Sequence, residues 1–342
     1  MNGKRCLVTG ATGLVGSHLL LQLVRQGCCV RAPFRNRSRI EAVREVFQCS
    51  VSPLEAETLM AQVEWVEADL TRFELLPSLC SGVDRIFHVA GMVTFLPGHR
   101  EELFLHNAKV TEALASAAIE SGVDHFLYVS SVAVIDAPAC VEATESMAWD
   151  ASRHHSDYAA SKYAAEQAVW RAASKGLKAT VVNPSVVLGP GFWGTGSSAF
   201  FSIISKGLAF YPPGGTGVVD VRDVAVAMVL LSRSDCHGRR FILSGANVLY
   251  KELFETIAYA LTVSPPRIAL YSWMEPLGIA AVKLYSALTR RTMKVSPDMI
   301  RSSFRVSRYN GSEITRTIGL TYTPFRETID YIAKAYTNAL ML

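Results

Sequence analysis

Short apolar runs alternate with amphipathic stretches through the first half of the chain, and that alternation constrains the fold more than any other feature. The runs are "RCLVT", "CCVRAPF", "VEWVEAD", "DRIFHVAG", "HFLYVSS" and "KATVVNPS". Between them lie Leu14 to Gln26, Ile40 to Phe47, Phe73 to Cys80, Arg100 to Ser121 and a stretch around Tyr158 to Ala173. Runs of Val, Ile, Leu and Phe without polar alternation are strands buried on both faces, which a parallel sheet covered by helices on both sides provides. The sequence predicts an α/β fold with a doubly wound parallel sheet.

Beyond Pro184 the pattern becomes irregular, with Gly- and Pro-rich turns at 189–196 and 211–217 followed by mostly helical periodicity. This predicts a first domain over 1–184 and a smaller, mostly helical substrate-binding region over 185–342, with "RFILSG" at 240–245 returning to the sheet. A hydrophobic content of 50% over 342 residues is ample for a core. The formal charge of +4, with no sustained basic run outside 31–39, argues against a nucleic-acid partner. Seven cysteines contain no C-x-x-C pair, so neither a disulfide framework nor a zinc site is expected, no metal is predicted, and a cytoplasmic location fits. No uninterrupted apolar span of ~20 residues appears, so no transmembrane segment is expected. The apolar segment 273–291, ending in two arginines, leaves two readings open: peripheral contact with a membrane, or a wall of the core or substrate pocket.

"VTGATGLVG" places Gly10, Gly13 and Gly16 three residues apart, directly after the first strand and at the start of a helix. Glycines there permit a tight turn, let backbone N–H groups approach a pyrophosphate and bring helix and strand close together. This makes the sheet Rossmann-type and predicts a bound dinucleotide. The second strand ends in "VRAPFRNR", with arginines at 31, 35 and 37 and no acid. A carboxylate there would repel a 2′-phosphate, whereas a guanidinium pairs with it, so NADP(H) is expected over NAD(H), with Arg35 just past the strand as its partner and Arg31 pointing away. Asp69 and Leu70, after the third strand, are candidates to flank the adenine, and the small residues of "HVAG" at 88–91 leave room for the cofactor.

"YAASK" sets Tyr158 and Lys162 four residues apart, hence on one helix face. A cation ~4 Å from a phenol is expected to lower its pKa by one to three units, bringing tyrosine into range for proton transfer. Ser131, with Ser130 as second choice, ends the fifth strand, where open parallel sheets place their ligands, and is the candidate to hold a substrate oxygen. His154 and His155, shortly before Tyr158, are expected in an exposed loop near the pocket mouth.

The combination of T-G-x-x-G-x-x-G, a strand-end serine and Y-x-x-x-K resembles the short-chain dehydrogenase/reductase superfamily, and the length resembles its extended branch, the NAD-dependent epimerase/dehydratase family. "VRAPFR" and "NPSVVLGPG" at 183–191 resemble the dihydroflavonol reductase group within it. The resemblance implies Gly10, Thr12, Gly13, Leu14 and Gly16 around the pyrophosphate, Arg35 at the 2′-phosphate, Asp69 and Leu70 at the adenine and Ala90 near the ribose. It further implies Tyr158 as acid-base, Lys162 on the nicotinamide ribose, Ser131 on the carbonyl and Pro184 at the nicotinamide face; two residues leave two readings open each, Asn107 as a support of the active site or a plain polar helix residue, and Arg222 as facing the substrate or an ordinary charge at a helix N-terminus. The activity implied is NADP(H)-dependent reduction of a ketone or aldehyde, or the reverse, on a small-molecule carbonyl or alcohol; a homodimer is common among such proteins. Two alternatives stay open: a sugar-nucleotide epimerase or dehydratase, against which Asn183-Pro184 and Ile135-Asp136 stand, and a non-catalytic NADP-binding regulator.

Overall fold

The computed structural model describes residues 3–138, 140–280 and 296–341. Strands β1 (Arg5–Thr9), β2 (Cys29–Phe34), β3 (Val63–Glu67), β4 (Arg85–His88), β5 (His125–Val129) and β6 (Ala179–Pro184) follow one another with helices between. Then come β7 (Val186–Leu188), β8 (Phe210–Tyr211), β9 (Gly215–Asp220), β10 (Arg239–Leu243), β11 (Ala246–Leu249) and β12 (Ile268–Ala269). Seven of them form one sheet in the order β10-β6-β5-β4-β1-β2-β3, each neighbouring pair parallel. The fold is thus the expected doubly wound α/β sheet, and the run near 240 does return to it as an edge strand beside β6.

Successive side chains of a strand face opposite layers, which explains the unbroken apolar runs. Cys6 and Val8 of β1 pack into a layer built on helices Leu14–Arg25, Ser38–Gln48 and Val221–Leu231, while Leu7 between them packs with helices Val110–Glu120 and Asp157–Ala173. In β5, Leu127 and Val129 join the first layer and Phe126 and Tyr128 the second. Burying each such side chain contributes about 1.5–3 kcal/mol, so a polar residue in any of these strands needs a partner. His88 has two, the hydroxyls of Thr9 and Thr111 at 2.7 and 2.8 Å.

Two features differ from the expectation. Helix Pro53–Met60 was not foreseen, although Ser52 caps it by accepting from the Glu55 N–H and Pro53 opens it. The chain after Pro184 also holds more strand than its helical periodicity suggested: β7, β9 and β11 form a second sheet, and β8 pairs with β12. These strands are short, and their ladders join segments far apart in sequence, so no local pattern announces them. Of the segment 273–291, residues 281–291 lie outside the described residues; Trp273 and Leu277 before them are exposed.

Candidate active site

The strand order reverses between β1 and β4, and there the glycine turn meets the end of β4. Gly10 has φ +71°, and a Cβ on it would lie 2.6 Å from the backbone nitrogen of Ala90. A Cβ on Gly16 would lie 2.0 Å from the Gly10 carbonyl oxygen, so helix and turn touch through bare backbone. Gly13 has only an ordinary neighbour at 3.4 Å. It is the N-cap of helix Leu14–Arg25, which has no side-chain cap and no acid in its first turn. Unsatisfied N–H groups at a helix N-terminus with no competing carboxylate suit a pyrophosphate. Thr12 and Leu14 stand half-buried beside it.

β2 ends at Phe34, so Arg35 is the first residue beyond the strand, and it is exposed. Arg31 points away as expected, pairing with Glu64 at 3.0 Å and the Leu79 carbonyl at 2.8 Å. Asp69 lies near Arg35; the backbone N–H and hydroxyl of Thr71, at 3.0 and 2.9 Å, together with Arg35, hold its carboxyl below the usual range. Leu70 beside it is half-buried. Arg39, one helical turn past Arg35, was missed by the sequence reasoning: its guanidinium reaches the Thr12 carbonyl at 3.3 Å and stacks 5.0 Å from the Phe192 ring centre. Phe192 itself sits at φ +55°, unusual for a bulky residue, in a loop that folds back toward the cofactor side. Its place in the first turn of helix Ser38–Gln48, in the same basic run as Arg35, was the available signal.

Helix Asp157–Ala173 starts at Ser156, whose hydroxyl caps the Ala159 N–H. It carries Tyr158 half-buried at the cleft, with the Ser131 hydroxyl near enough to pull the phenol's pKa down and the Phe95 ring edge-on at 5.2 Å. Ser131 also accepts from the Ala133 N–H at 3.1 Å, whereas the Ser130 hydroxyl is buried with no partner among the described residues. Lys162 is buried; its ammonium donates to the Val129 carbonyl at 2.7 Å and sits 4.3 Å from the Tyr128 ring centre. A Cβ on Gly91, next to Ala90, would lie 3.8 Å from that ammonium, which places Lys162 at the cofactor turn. Pro184 ends β6, buried at the same edge.

One expectation is corrected here. Burial raises the Tyr158 phenol, and only Ser131 pulls it back. Lys162 does not lower it, because burial drives the lysine itself down to about 7 and its ammonium is aimed at Val129. A spacing of four residues fixes the shared face but not the environment the face is pressed into.

Asn107 lies in a widened π-helical turn, Phe104–Lys109, and is buried. Its side chain accepts from the Met92 N–H at 2.7 Å and donates to Ser161 at 2.8 Å, and Ser161 donates to the Tyr158 carbonyl at 2.8 Å. It therefore ties the loop after β4 to the Tyr158 helix. Arg222 is not turned to this cleft: it grips Asp220 at 2.6 Å and stacks on Tyr331 4.0 Å away, lining a cavity of about 240 Å³ with His18 and Arg25. His154 is exposed beside Asp298, but His155 is stacked on Trp149 at 3.6 Å and is not a free loop residue.

Residues 6–243 match the profile of the NAD dependent epimerase/dehydratase family. The chain belongs to that family. It is an extended short-chain dehydrogenase/reductase and an NAD(P)-dependent oxidoreductase. It is 28% identical over 333 residues, 94% of this chain and 91% of the other, to a Synechocystis sp. protein provisionally named dihydroflavonol 4-reductase. It is also 28% identical to cinnamoyl-CoA reductase 1 of Arabidopsis thaliana, over 75% of this chain and 74% of that one. Among solved structures, gox2253 superimposes with a TM-score of 0.81 at 26% identity, covering 99% of both chains. Among the described residues no helix is long and apolar enough to cross a membrane, and no cluster of metal-ligating side chains occurs.

Proposed function

We propose that the protein is an NADP(H)-dependent oxidoreductase that interconverts a ketone or aldehyde of moderate size and its alcohol. The observation that carries this is the Tyr158 phenol at the cleft beside the Ser131 hydroxyl, one turn before a buried Lys162 that borders the glycine turn. The names of the two reductase relatives support a carbonyl substrate.

The turn fits a dinucleotide: the bare helix N-terminus would hold the pyrophosphate, and Arg35 and Arg39, beyond the end of β2, would hold a 2′-phosphate. When bound, the reduced nicotinamide supplies the hydride. Tyr158 gives its proton to the substrate oxygen, and Ser131 orients that oxygen by a second hydrogen bond. Lys162, with one proton engaged by Val129, keeps further N–H donors for a ribose hydroxyl. Because burial favours the neutral phenol, Tyr158 is held in the form that donates, as reduction requires.

The test is the dissociation constant for NADPH and NADH in the wild type and in Arg35→Ala, with turnover of a carbonyl panel in Tyr158→Phe. The expected result is preferential NADPH binding that Arg35→Ala abolishes, and a loss of kcat of about 10²–10⁴-fold in Tyr158→Phe. Tighter NADH binding, or retained turnover in Tyr158→Phe, would overturn the assignment; tightly retained, non-exchanging NAD would redirect it to a reaction that oxidises and re-reduces its own substrate.

A further inference from the structure

Behind the Tyr158 helix lies a charged group that the chemistry above does not use. Glu166, one turn past Lys162 and two past Tyr158, is 2% exposed. Its carboxylate accepts from Asn183 Nδ2 at 3.0 Å, from Arg240 Nη1 at 3.3 Å and from Trp170 Nε1 at 3.4 Å. Asn183 Nδ2 also donates to the backbone carbonyl of Ser131 at 3.0 Å. Both partners of that amide nitrogen are acceptors, so its orientation is fixed by chemistry, and Asn183 Oδ1 is left without a partner. Arg240, on β10, is anchored in turn by the carbonyls of Glu145 and Met147 at 2.8 and 2.5 Å.

We propose that Glu166 is a positioning residue of this centre: its buried carboxylate ties the Tyr158 helix to β6 and β10, fixes the Ser131 backbone through Asn183, and opposes the burial of the Lys162 charge. The inference rests on Tyr158, Ser131 and Lys162 acting as proposed above. A carboxylate between a helix and two strands with an interior fully satisfied by three donors costs less as a charge than an isolated one. The same negative charge works forward along the helix. Burial pushes Lys162 down to about 7, and Glu166 is what pushes the other way.

The groups facing Lys162 are few. From its own helix come Glu166 and Tyr158; from β5 comes Tyr128, which burial keeps a neutral phenol; from β4 comes His88, driven down to about 3 by burial and therefore uncharged near neutrality. Arg240 faces Glu166 from β10. Among the described residues Glu166 is thus the anion that favours the charged form of Lys162 against its burial. A nearby carboxylate is worth about 1–3 pKa units to such a group.

The experiment follows NADPH affinity by nucleotide fluorescence from pH 5.5 to 9.5 in the wild type, Glu166→Gln and Glu166→Asp, with Lys162→Met to identify the ionisation. The wild type is expected to lose affinity on the alkaline side, Lys162→Met to lack that limb, Glu166→Gln to show it at least about one unit lower, and Glu166→Asp to restore it. Asn183→Ala tests the other arm and stands in if Glu166→Gln fails to fold: kcat is expected to fall about 10-fold with NADPH affinity unchanged. An alkaline limb at the wild-type pH in Glu166→Gln, or full kcat in Asn183→Ala, overturns the inference and leaves Glu166 as a structural ion pair. Tyr158→Phe run alongside separates the cases: turnover there defeats the reductase assignment itself, whereas a dead Tyr158→Phe with an unmoved limb defeats only the role of Glu166.

Discussion

The sheet half of the molecule and the chain beyond Pro184 are built on different principles. In the first, each strand is followed by helix, and apart from the crossover from β3 to β4 successive strands pair side by side. In the second, contacts are made by segments far apart: Gly214 and Gly215 donate to the carbonyls of Ser303 and Arg305, and the Ala143 N–H donates to the Arg308 carbonyl. The glycine turn, Tyr158 and Lys162 all lie in the first kind of structure. The difference teaches that the candidate site is placed by strand–helix units legible along the chain, while the second half is held by pairings no local pattern announces.

The same substitution in each half separates them most sharply. Gly16→Ala forces a methyl to within 2.0 Å of the Gly10 carbonyl and must shift the turn, so NADPH affinity is expected to fall by about 100-fold or more, a loss of roughly 3 kcal/mol. Gly214→Ala places its methyl 2.3 Å from the Ser303 carbonyl and 2.4 Å from that of Arg305. It is expected to lower the melting temperature by several degrees while leaving NADPH affinity within about twofold. Titrating NADPH into both variants checks this; equal losses of affinity would dissolve the distinction.

A smaller effect comes from pH. His18, His88 and His125 all lie in the sheet half, and burial drives them down to about 4, 3 and 4. A histidine held neutral in the fold but free to protonate when unfolded contributes stability above its unfolded value of 6.5, and that stability is lost as pH falls toward 4. The melting temperature is expected to decline steadily from pH 7 to pH 4.5, with protection of β4 and β5 amides lost before that of helix Phe325–Met341. Hydrogen exchange at the two pH values checks the order, and simultaneous loss in both halves would count against it.

The smallest expected change is in Arg39→Ala, which removes a contact to Thr12 and Phe192 but leaves Arg35 in place. NADPH should weaken by about 3- to 10-fold and NADH by less. An equal loss for both nucleotides would mean that Arg39 supports the turn and does not meet the extra phosphate.

The same contrast explains what the sequence made legible. The seven strands of the main sheet and the glycine turn were visible because apolar runs, helical periodicity and glycine spacing are local signals. Tyr158, Lys162 and Ser131 stood out as candidates for the same reason, and the structure brings them to one edge. The direction of the Tyr158 shift was misjudged because burial, unlike spacing, depends on what packs from elsewhere. The two readings of Arg222 could not be separated from sequence because nothing near it reveals Tyr331 as its stacking partner. Glu166 lies four residues past Lys162 and was within reach of the same helical argument, but its partners Asn183 and Arg240 come from two distant strands.

The placement of β10 at the edge of the main sheet has a practical consequence for recombining this chain with its relatives. A hybrid joined at 184 would take β10 from one parent and β6 from the other, and with them the two ends of the Glu166–Arg240 contact. Crossovers that carry 239–249 along with the amino-terminal part keep that seam within one parent. Exchanging only the loops and short sheets outside it would leave the Glu166–Arg240 contact and the glycine turn unchanged.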